Sequence, residues 1–143
     1  SLDSVMKVRT ELKVKCLKQV FRNGLFEPFE LKGKTCIAVS GIANPERFQT
    51  TLESLGLIIK EFVRFPDHHQ FSVSDLMKIQ TAYEKHQAEY IITTEKDAVR
   101  LLSMKEAETM FHERLLYVEI EMEIRQGKEE FHNMLDSIMM GVH

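Results

Sequence analysis

The sequence predicts an α/β fold: a three-layer, mainly parallel sheet of about four strands with flanking helices, plus an edge strand and a C-terminal amphipathic helix. Two observations carry this. Short apolar runs at 36–40, 57–63 and 90–93 each precede a helix-start signal, so strand and helix alternate along the chain. After them Val118, Ile120, Met122 and Ile124 alternate with Glu119, Glu121 and Glu123, the period-two pattern of a strand with one wet face.

Residues 1–33 are expected to be a linker or extended segment. Leu12, Val14 and Cys16 alternate with charged residues as in a half-buried strand, while Val5, Leu12, Cys16 and Val20 also fit a helical stripe. Asn23-Gly24 marks a turn, and Pro28 closes the segment. The opening on Ser1-Leu2 and weakly patterned charged sequence is compatible with a piece of something longer. Residues 34–143 are expected to form one α/β lobe.

Within that lobe Cys36-Ile37-Ala38-Val39-Ser40 is apolar throughout, as a strand buried on both faces must be. Asn44-Pro45 then starts a helix, with Asn as cap and Pro at the first helical position. Phe48, Leu52 and Leu55 fall on one face of it, and Gly56 stops it. The run at 57–63 ends in the loop Arg64-Phe65-Pro66-Asp67-His68-His69. Ser72 and Asp75 form a capping box for a helix that buries Leu76, Ile79 and Tyr83. Tyr90-Ile91-Ile92-Thr93 is the next strand, and Thr94 with Asp97 repeats the capping-box spacing ahead of Ala98, Leu101 and Leu102. The alternating tail reads as an edge strand with its carboxylates in water. Phe131, Met134, Leu135, Ile138 and Met139 fit a closing helix, with methionine as core filler.

Composition excludes several functions. With 143 residues there is room for one domain, and 43% hydrophobic with 29% charged residues is ordinary globular content. A net charge of −3 gives no basic field to attract nucleic acid. No apolar run approaches the ~18 residues of a membrane-spanning helix, and the first residues show no basic-then-apolar pattern. Cys16 and Cys36 form no metal-type cluster and read as two reduced thiols.

Gly33-Lys34-Thr35 looks like the end of a Walker A loop but reads as a turn. Pro28 stands where that pattern needs glycine, and the loop would have to open a helix, whereas here it enters a strand. Asp67-His68-His69 follows a strand, where open parallel sheets place ligand loops. A carboxylate beside an imidazole can fix its tautomer or raise its basicity, although a solvated loop or local cap accounts for the same residues. Gly41-Ile42-Ala43-Asn44-Pro45 offers backbone N–H groups to an anion, or is simply a helix cap. Lys96 lies in a first helical turn, where the dipole disfavours cations and an anionic ligand would relieve the cost.

Four blocks occur in order: Ser40-Gly41-Ile42-Ala43-Asn44-Pro45-Glu46-Arg47-Phe48, Leu52-Glu53-Ser54-Leu55-Gly56, Phe65-Pro66-Asp67-His68-His69, and Thr93-Thr94-Glu95-Lys96-Asp97-Ala98-Val99-Arg100-Leu101. This series, spanning residues 31–102, closely resembles the carboxy-terminal half of the tetraacyldisaccharide 4'-kinases. Residues 1–30 and 103–143 match it loosely.

The resemblance implies an ATP- and Mg2+-dependent phosphotransferase of lipid A synthesis. It acts on an acylated disaccharide lipid at the cytoplasmic face of the inner membrane of Gram-negative bacteria. It further implies an amino-terminal lobe that carries the phosphate-binding loop, the metal-binding carboxylates and the base, none of which this sequence contains. ATP and Mg2+ would be bound mainly there, membrane contact would be peripheral through the full-length protein, and this chain alone would be inactive. By position, Asp67 and His68 are the catalytic candidates, with His68 supporting a carboxylate base across the cleft and Asp67 orienting it. Gly41, Asn44, Thr94 and Lys96 are candidate nucleotide or lobe contacts, and no metal ligand is expected. Two other readings stand beside this one. Asp-His-His also begins a signature of metal-dependent phosphoesterases, though further aspartate motifs are absent. The Glu-studded strand and Met-rich helix could instead make a non-catalytic interaction module.

Overall fold

The computed structural model describes the backbone of residues 9–126 and the side chains of residues 13–121. The strands are β1 (Arg9–Gln19), β2 (Leu25–Phe26), β3 (Thr35–Ser40), β4 (Ile58–Arg64), β5 (Tyr90–Thr94) and β6 (Leu115–Gln126). The helices are α1 (Pro45–Ser54), α2 (Val73–His86), α3 (Glu95–Leu102) and α4 (Lys105–Phe111), with 3-10 turns at Pro28–Leu31 and His112–Arg114. The chain divides into two units, Val14–Glu119 and a second made of Ser1–Lys13 with Ile120–His143. The candidate site lies wholly in the first. The expected closing helix around Phe131–139 lies outside the described residues.

One six-stranded sheet runs in the order β2-β1-β6-β5-β3-β4. β3 pairs in parallel with β4 and β5, and β5 with β6, while β1 and β2 are antiparallel. Alternate residues of β3 enter opposite cores: Ile37 and Val39 join α2, α3 and α4 through Leu76, Ile79, Leu101 and Phe111. Cys36 and Ala38 join α1 on the other face through Phe48 and Leu52. Both faces are therefore dry, which is why this strand carries no polar alternation. Burying one such leucine or isoleucine contributes about 1.5–3 kcal/mol, so two covered faces matter for a lobe of this size.

The helix signals act as the sequence predicts. Asn44 Oδ1 accepts from the Arg47 amide with Pro45 at the first helical position, and Ser72 with Asp75 makes the full capping box. Gly56, just past α1, adopts φ +82°, a conformation only glycine takes at no cost. Gly33 at φ +82° donates to the Gly56 carbonyl, so Gly33-Lys34-Thr35 is a turn into β3.

One expectation needs correction. β6 is not an edge strand, because β1 lies beside it and the sheet ends at β2 and β4. Its Glu119 is not left to water either: Lys18 Nζ reaches it at 3.1 Å and Lys15 Nζ at 3.8 Å. Lysines on β1 meet its carboxylate, and the Lys18 hydrogen bond holds its carboxyl below the ordinary value. Within residues 1–33, expected as a linker or extended segment, 9–19 form the extended strand β1, and Leu17 and Leu31 are fully buried in the same core as Cys36. α4, which carried no clear sequence signal, buries Ala107 and Phe111 one turn apart.

Candidate functional site

Winding direction places the site. From β3 the chain passes over one face through α1 to β4, and from β5 over the other face through α3 and α4 to β6. The two connections leave the adjacent carboxyl ends of β3 and β5 in opposite directions, which opens a crevice where doubly wound sheets place ligands. Gly41 follows β3 and the Thr94–Asp97 turn follows β5 at this crevice.

The crevice already holds an anion, the chain's own. Asp97 is fully buried; one carboxylate oxygen accepts from the Gly41 amide at 3.0 Å and from Thr94 Oγ1 at 2.7 Å. Its other oxygen accepts from Arg100 Nη1 at 3.0 Å. Thr94 and Asp97 thus form half of the expected capping box. Thr94 Oγ1 caps the Asp97 amide, but Asp97 turns across to β3 and does not return to the Thr94 backbone.

The loop after β4 is sewn onto the same rim. The Phe65 amide donates to Ser40 O at 2.8 Å, and the His68 amide to Gly41 O at 3.2 Å. His69 anchors the loop from below: its ring stacks on Phe65 with centroids 4.9 Å apart and meets Phe71 edge-on, and its Nε2 lies 2.7 Å from Asp75 Oδ2. His68 is left facing outward at φ +60°, in the left-handed region that a branched chain of atoms enters at a cost. Its side chain is 81% exposed. The residue that holds it is Arg100, whose Nη2 sits 3.1 Å from Nδ1. Asp67, expected to orient His68, has its carboxylate 3.7 Å from Nε2, an ion-pair distance rather than a hydrogen bond.

The other candidates are placed as follows. Gly41 spends its amide on Asp97, Asn44 its carbonyl oxygen on the Arg47 amide, and Thr94 its hydroxyl on Asp97. Lys96 is exposed, and Glu95 and Asp97 in the same turn offset its charge at the helix start, so no bound anion is needed to explain it. Sequence reading missed Arg100 and the role of Asp97. The available signal was an acid in the first turn of a short helix with a base three residues later in its last turn. An open hollow of about 450 Å³ beside them is lined by His68, Gln70, Phe71, Arg100, Ser103 and Met104.

The anchoring histidine has a measurable consequence. Burial alone would raise the Asp75 carboxyl, but hydrogen bonds from the Ser72 amide and from His69 hold it below its ordinary value. A carboxyl depressed by folding contributes stability above its unfolded value and loses it as pH falls through its folded value. The stability of the wild type over Asp75→Asn is expected to be complete near neutrality and to be lost as pH falls below the ordinary carboxyl range, through the lowered folded value. Urea midpoints measured across that range check it.

Comparison with known proteins identifies the family. The family model described as tetraacyldisaccharide-1-P 4'-kinase matches residues 3–140. A tetraacyldisaccharide 4'-kinase of Syntrophus aciditrophicus is 38% identical over 111 residues, covering 78% of this chain and 29% of that protein. That of Bdellovibrio bacteriovorus is 43% identical over 72 residues, covering 50% of this chain and 21% of its own. The crystal structure of LpxK from Aquifex aeolicus in complex with ATP superposes with a TM-score of 0.53 at 21% identity, over 92% of this chain and 36% of that one. That likeness is one of fold. The chain spans less than a third of the length of these curated relatives, at 29% and 21%.

Proposed function

This chain belongs to the tetraacyldisaccharide-1-P 4'-kinase family, and from that premise we propose that it is the carboxy-terminal lobe of an ATP-dependent lipid A kinase. The whole enzyme transfers the γ-phosphoryl group of ATP to the 4'-hydroxyl of a tetraacyldisaccharide 1-phosphate, working at the cytoplasmic face of the bacterial inner membrane. The observation that carries the reading is the gathering of Gly41, His68, Asp97 and Arg100 on one rim, all within the blocks that resemble the family.

In the reaction the 4'-oxygen bonds to the γ-phosphorus while the bond from that phosphorus to the β–γ bridging oxygen breaks, and ADP leaves with those electrons. The hydroxyl proton passes to a carboxylate base supplied by the rest of the kinase. Such transfers depend on positioning and charge more than on covalent chemistry. His68, exposed beside an open hollow, is placed to donate a hydrogen bond to that base and hold its free lone pair on the hydroxyl. The Mg2+ that accompanies ATP would be held mainly by the amino-terminal lobe.

The phosphoesterase reading would need both imidazoles of Asp67-His68-His69 turned to one metal. His69 is instead committed to Asp75 and His68 to Arg100. The test is transfer of label from γ-labelled ATP to the acylated disaccharide 1-phosphate. Label on the lipid with the intact protein, and none with these 143 residues alone, is the expected outcome. An intact protein that binds ATP yet leaves the lipid unlabelled overturns the reading.

A further inference from the structure

An exposed imidazole on a loop normally samples several rotamers and both neutral tautomers. His68 does not have that freedom. A guanidinium only donates hydrogen bonds, so the 3.1 Å contact from Arg100 Nη2 makes Nδ1 the acceptor and puts the ring proton on Nε2. Arg100 is itself held from two sides, donating through Nη1 to Asp97 Oδ1 at 3.0 Å and to Gly41 O at 3.3 Å.

The Gly41 peptide is the shared anchor. Its carbonyl receives the His68 amide as well as Arg100, and its amide is fixed by Asp97. The three segments approach closely enough that a Cβ on Gly41 would lie 3.2 Å from Pro66 O and 3.3 Å from Asp97 Oδ1. Backbone and side chain of His68 are thus tied, through one glycine and one guanidinium, to a fully buried carboxylate.

We propose that Arg100 is a positioning residue for the phosphoryl transfer: it locks His68 as the Nε2–H tautomer and aims that N–H outward at the catalytic half. The proposal rests on the kinase reading above. Arg100 touches no reacting atom and acts only through His68.

The experiment has two arms. In this chain, 15N spectra of labelled histidine are expected to show His68 with a pyridine-like Nδ1 and a protonated Nε2. Arg100→Met and Arg100→Lys are expected to move both nitrogens toward averaged values. Arg100→Lys keeps a cation beside Asp97, and so the fold, but lacks the planar fork whose two nitrogens reach Asp97 and His68 separately. In the intact kinase both variants are expected to lower kcat by about 10–100-fold, the usual cost of losing a partner that orients a functional group, with KM for ATP little changed. Added to His68→Ala, Arg100→Met is expected to cost nothing more. A kcat unchanged by either Arg100 variant while His68→Ala is crippled overturns the proposal alone. Additive losses in the double variant overturn it too, because Arg100 would then act independently of His68. A kcat unchanged in His68→Ala removes the kinase role of the imidazole itself, whatever the spectra show.

Discussion

Replacing His68 by alanine in the intact protein is expected to lower kcat by about 10²–10⁴-fold, the range for a group that shares in general-base catalysis. The side chain is 81% exposed and its contacts with Arg100 and Asp67 are polar, so its removal takes away little burial. Loss of activity should therefore come without loss of fold. His68→Gly is the control: at φ +60° glycine relieves the left-handed backbone, so this variant should exceed His68→Ala in stability by about 1 kcal/mol and be equally inactive. Steady-state kinetics beside urea denaturation separate the two effects. Full activity in both variants would mean that the imidazole is a solvated loop residue.

Asp97→Ala is expected to be the most destabilising single change at the rim, at about 3–5 kcal/mol, because a fully buried carboxylate shared by three donors is removed. Arg100 loses its carboxylate, Thr94 Oγ1 its acceptor, and the Gly41 amide is left without a partner inside the crevice. An orphaned buried donor alone costs about 1–3 kcal/mol. For a chain of this length the melting temperature should fall by roughly 10–20 °C. Circular dichroism melts check this directly, and a loss below about 1 kcal/mol would show that water replaces the carboxylate without strain.

Much of this was readable from residue patterns, and the exceptions share a cause. β3, β4, β5 and their helices are encoded locally, by apolar runs and by caps such as Asn44, Ser72 and Thr94, which act within four residues of themselves. The placement of β6 was not, because strict alternation is the same for an edge strand and for an interior strand whose neighbour supplies lysines. Lys15 and Lys18 lie about a hundred positions from Glu119 along the chain, as the separation of 101 for the Lys18 contact shows. The site divides in the same way. His68 was visible as the exposed member of a carboxylate–imidazole loop, and Gly41 as a strand-to-helix turn. What joins them is Asp97 and Arg100, at separations of 56 and 59 from Gly41; a local reading explains Asp97 away as a cap and passes over Arg100.

An experimental structure of the intact protein with ATP bound tests the arrangement most directly. The expected result is a carboxylate from outside residues 9–126 at about 3 Å from His68 Nε2, on the side facing the γ-phosphate, with Arg100 still on Nδ1. Finding His68 on a face remote from the nucleotide, with no carboxylate in hydrogen-bond reach of its ring, would contradict it.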